Sequence, residues 1–172
     1  MPEVDGKKGE QAGDFRLCDQ ARAFTTKLKN NPESSNFGVM LEFYWLCAQL
    51  GLVAYSQDQN LPKAPPAGTE VTDEFTGETR NHQYLQRSFV MFRYLCDMGY
   101  EEFDSDSSDP IENAMDQFLQ MTGSHLTNRG LKEMDTYAQK GWDIIEEKGI
   151  SRASTMSVFL TQYVELLQSY TD

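Results

Sequence analysis

Histidine is nearly absent from this chain, with two residues in 172, His82 and His125. Imidazole is the commonest acid–base group near neutral pH, so this scarcity confines such chemistry to two places. Neither histidine stands at metal-ligand spacing from a cysteine, a carboxylate or the other histidine, and both read as surface or hydrogen-bonding residues. Cysteine is sparse as well. Cys18, Cys47 and Cys96 form an odd set with no C-x-x-C pair, which argues for reduced, buried thiols and against a disulfide framework or a zinc site. Gly51, Gly68 and Gly77 stand alone, so no phosphate-binding loop is spelled out. No apolar run reaches the ~18 residues of a membrane span, and the polar opening Met1 to Asp14 does not resemble a signal peptide. The expectation is a cytoplasmic domain with no cofactor, no metal and no membrane contact.

Positive charge is the other shortage. Fifteen Lys and Arg face 27 Asp and Glu, for a formal charge of −12, a field that opposes DNA phosphates and anionic headgroups. Thirteen acids and three bases lie between Asp97 and Glu147, whereas Met1 to Asn30 carries six bases and five acids. An attractive partner is therefore expected to be basic and to meet the second half. The candidate bases for a nucleic-acid contact are Arg80, Arg87 and Arg93, with Arg22, Lys27 and Lys29; Arg80 and Arg87, seven positions apart with His82 beside them, could form a small anion site. The net charge weighs against direct nucleic-acid binding.

Apolar material is ample, at 39% of residues with 12% aromatic, enough for a packed core in one domain. Met1 to Gly13 reads as a flexible tail and residues 14–172 as a single helical domain. Leu17, Cys18, Ala21, Phe24 and Leu28 recur at helical spacing and predict a helix from Asp14 to Lys29. The run Phe37 to Leu50 is apolar nearly all round, as in a central buried helix, with Gly51 as its stop. Residues from Gly51 to Thr79, rich in proline and glycine, predict a long loop with one short strand at Glu70 to Phe75. Further helices are expected at Arg80 to Met98, from Ile111 to near Gly123, at Arg129 to Lys148, and at Ser151 to Tyr170, where Met156, Phe159, Leu160, Tyr163, Leu167 and Tyr170 share a face. The fold class that follows is all-α, an irregular bundle of about six helices with one long loop between the second and third.

Three constellations invite chemistry and fall short of it. Asp104 to Asp109 opens like a calcium loop, but Asp109 and Met115 stand where that loop needs Gly and Glu. Asp109, Pro110 and Glu112 read better as a helix start. Ser124 beside His125 lacks a nucleophile elbow. Asp143, Glu146, Glu147 and Lys148 supply nuclease-like residue types on a helix end, where a solvated face is the simpler reading.

Two stretches carry a family resemblance. Leu46 to Leu52, L-C-A-Q-L-G-L, and Tyr137 to Glu146, Y-A-Q-K-G-W-D-I-I-E, resemble patterns in the small helical accessory proteins of DNA phosphorothioation and related anti-phage defence systems. Lys140 replaces one glycine of that pattern. The resemblance implies a non-enzymatic subunit that works beside larger proteins, and it transfers no catalytic residue. Gly141 beside Trp142 marks a place where another backbone approaches closely and an aromatic anchors it, or else a core tryptophan with a glycine making room. The partner-contact candidates are Trp142, Gly141 and Tyr137 with the acidic Glu101, Glu102, Asp104 and Asp106. The expected function is a protein-binding or scaffolding subunit of a prokaryotic defence or DNA-processing complex, with basic or DNA-binding proteins, or a second copy of the chain, as partners. The alternative is an acidic DNA mimic or inhibitor of a DNA-binding enzyme. A small enzyme built on Arg80, His82 and His125 is the third reading.

Overall fold

The computed structural model describes residues 15–32, 40–58, 69–70, 88, 116–119 and 126–170. The expected tail, the Arg80 to Met98 helix apart from the helical, exposed Ser88, and the sites at Arg80, His82, Arg87, Glu101, Glu102, Asp104, Asp106, Ser124 and His125 lie outside them.

The fold is all-α. Four α-helices make up most of the described chain, namely α1 (Asp19–Lys29), α2 (Met40–Asp58), α3 (Asn128–Glu147) and α4 (Met156–Ser169), with a 3-10 helix at Ile150–Arg152. That is five elements with full bounds against the six helices expected, and Ser88 and residues 116–118 are helical besides. Two short strands, β1 (Arg16–Leu17) and β2 (Thr69–Glu70), pair antiparallel with Arg16 opposite Glu70.

Several boundaries differ from the expected ones, each for a local reason. Phe15 and Leu17 are buried while Arg16 is exposed, the two-residue alternation of an extended strand. Helix α1 therefore starts at Asp19, after Cys18 at φ −64° and ψ 156°, and not at Asp14. Residues 116–118 are helical and Leu119 already bridges Leu126, so the fourth expected helix ends before Gly123. The Thr127 hydroxyl accepts from Gly130 N and caps α3. Gly149, at φ +73°, closes it in the left-handed conformation that favours glycine. The Ser151 to Tyr170 stretch divides, because the 3-10 turn ends at Arg152 and Thr155 caps a new helix by accepting from Val158 N.

The largest correction concerns Gly51. Helix α2 does not stop there but runs seven residues further, to Asp58, so the first part of the expected loop is helix. Of the expected strand, Glu70 falls within β2 and residues 71–75 lie outside the described residues. Gly51 is buried because α3 crosses at that point: a Cβ on Gly51 would run into the carbonyl oxygen of Tyr137, and a Cβ on Gly141 into that of Cys47. Each helix presents a glycine to the other's backbone, and the two glycines meet, since the Gly51 Cβ would also lie 2.9 Å from Gly141 N. Glycine inside a helix costs about 1 kcal/mol relative to alanine. Dispersion between two backbones at this separation offsets that cost.

Around the crossing the core is aromatic. One ring from each helix meets at a junction: Phe24 (α1), Phe43 (α2), Trp142 (α3) and Phe159 (α4), with centroids 5.5–6.1 Å apart in the five contacting pairs. Polar ties brace the same helices. The Tyr163 hydroxyl donates to Leu46 O at 2.8 Å. Lys140 pairs with Asp58 at 2.9 Å, placing a cation beside a carboxylate that the negative end of α2 otherwise disfavours.

The two glycines differ from Gly149 in a way stability measurements can separate. Gly141→Ala is expected to lose roughly 2–4 kcal/mol, because backbone cannot yield as a flexible side chain would. At Gly149 nothing lies within 4 Å of an added Cβ, so Gly149→Ala should lose only the conformational cost of about 1–2 kcal/mol. Urea denaturation of both variants checks the order.

Candidate functional site

Asp135 is the one buried carboxylate among the described residues, 6% exposed on α3. Its Oδ1 accepts from two donors far away in sequence, the Arg16 backbone N at 2.9 Å and the Tyr44 hydroxyl at 2.8 Å. One oxygen thus ties β1, α2 and α3 together. Above it Phe15 packs edge-on against Tyr44, with centroids 5.0 Å apart, and lies 6.0 Å from the Trp45 ring. Burial pushes the Asp135 carboxyl up to about 7, against the opposing pull of the Arg16 N–H, the Tyr44 hydroxyl and the Arg16 charge. Burial, then the neighbouring Asp135, holds the Tyr44 hydroxyl well above its ordinary value, so it stays a donor.

Nearby, Cys18 and Cys47 are buried and free. Burial raises both thiols, Cys47 strongly, with the neighbouring Cys18 adding to the rise. A thiol raised in this way stays protonated at neutral pH and is a poor nucleophile or metal ligand.

The sequence-based candidates fare differently. Trp142, Gly141 and Tyr137 come together, but at the crossing: Trp142 is 2% and Tyr137 1% exposed, and Gly141 lies against Cys47. The backbone that approaches closely is α2 of the same chain. These three are therefore corrected from partner contacts to core residues, because the surface a partner would use is already covered. Asp143, Glu146, Glu147 and Lys148 are all exposed on α3. No group of three or more metal-ligating side chains gathers among the described residues.

Two features escaped the sequence reading. The first is Asp135, which stands in the apolar series Leu131, Ala138, Trp142; a carboxylate at such a position is a legible sign of a buried polar group. The second is the outward side of α4. Val158, Leu160 and Val164 are 43%, 37% and 49% exposed, and Glu165 is the only charged residue in the helix. Leu160 was expected on the buried face; Leu166 lies there instead, with Phe159 and Tyr163.

Charge is also distributed unevenly. The described residues carry eleven acids and nine bases, a balance of −2. The remaining −10 of the formal charge belongs to residues outside the description. On α1 the exposed charges are Asp19, then Arg22, Lys27 and Lys29; on α3 they are Arg129 and Lys132 near its start and Asp143, Glu146 and Glu147 near its end.

No family model, curated protein or solved structure matches this chain. No described helix is long and apolar enough to cross a membrane.

The sign of the Asp135 effect on stability is the reverse of a salt-bridged carboxylate. Its folded value, about 7, lies above its ordinary 3.8, so the folded state holds the proton more tightly between those limits and stability falls as pH rises through them. From about pH 5 to about pH 8 this one group should remove roughly 2–3 kcal/mol. Asp135→Asn keeps an accepting oxygen and cannot ionise. Urea denaturation across that range should show the variant gaining on the native protein by that amount.

Proposed function

We propose that this chain is a non-enzymatic protein-binding or scaffolding subunit, working in a prokaryotic defence or DNA-processing assembly. The observation that supports protein binding is α4, which exposes Leu160 and Val164 on one flank and Val158 on the other by more than a third and carries a single charge. Exposed aliphatic side chains with few charges beside them are what the buried centre of a protein interface requires. The acidic balance of the whole chain favours a basic or DNA-binding partner.

The assembly class rests on the resemblance in Leu46 to Leu52 and Tyr137 to Glu146 alone. Those two stretches contain the four residues of the glycine crossing, Cys47, Gly51, Tyr137 and Gly141, so the shared pattern describes a core contact. It carries a framework and no reactive group. The DNA-mimic reading requires a continuous acidic stripe, and the near balance of eleven acids against nine bases among the described residues does not favour it.

Tagged protein isolated from native cells after crosslinking should bring down a defined partner, with crosslinks mapping beside α4. Val164→Asp places a charge on an exposed site and should leave the circular dichroism spectrum and stability within about 0.5 kcal/mol. It should weaken partner recovery about tenfold or more, or about 1.4 kcal/mol. Isolation of the chain alone from its native cells would count against the proposal.

A further inference from the structure

We draw no further inference here: the strongest candidate, the flank of α4 that exposes Leu160 and Val164, already supports the proposed function, and nothing in the structure shows what covers it.

Discussion

The backbone contact between α2 and α3 is the constraint on which the rest of the molecule depends. Because Gly51 and Gly141 have no side chains, the two helices approach until each glycine faces the other helix's carbonyl. That separation brings Phe43 and Trp142 within reach of each other and of Phe24, with Phe159 against Phe43. It also sets Tyr44 against Asp135 and Asp58 against Lys140. A wider spacing would loosen all three sets at once, since aromatic packing and hydrogen bonds both weaken within an ångström or so.

How much of this was legible in the sequence depends on the distance over which each signal acts. The apolar period of α3 placed it within a residue at each end, and the all-round apolarity of α2 marked it as central. Both signals are local and repeat over many residues. Gly51 was misread because a glycine that ends a helix and one that admits a neighbouring helix look alike along the chain. Only the partner across the crossing distinguishes them, and it lies about ninety positions away in sequence. The same holds for Gly141 and Trp142: the pattern marked a close approach but not whether the approaching backbone came from this chain. Phe15 to Leu17 is too short for its alternation to compete with the helical pattern that follows it. Asp135 was visible only as an acid to be counted, although its place among Leu131, Ala138 and Trp142 implied that it faced inward.

A buried carboxyl with a raised pKa contributes little to folding compared with the apolar residue it displaces. Its use lies in direction. Asp135 accepts from a main-chain N–H on β1 and a phenol on α2 through one atom, so it specifies which stretch of chain covers this part of the core and in which register. A leucine at the same position would bury more apolar surface and hold any hydrophobic segment equally well. Specificity obtained this way brings sensitivity to pH, because the group that fixes β1 is also one whose charge changes near neutrality.

The division of charge bears on how the molecule would meet a partner. The described framework is close to neutral, at −2, while the rest of the sequence carries the other −10. Electrostatic attraction acts over a Debye length of about 8 Å at physiological salt and mainly sets encounter rate and orientation. Affinity comes from desolvated contacts at the centre of an interface, and there a dense acidic surface is a hindrance, because each carboxylate must be stripped of water. Helix α4, with one charge and three exposed aliphatic residues, meets that requirement, and the acidic stretches meet the other. On the function proposed above, a basic partner would be drawn by the acidic stretches and held against α4. The two contributions are separable, since salt weakens the first and leaves the second nearly unchanged.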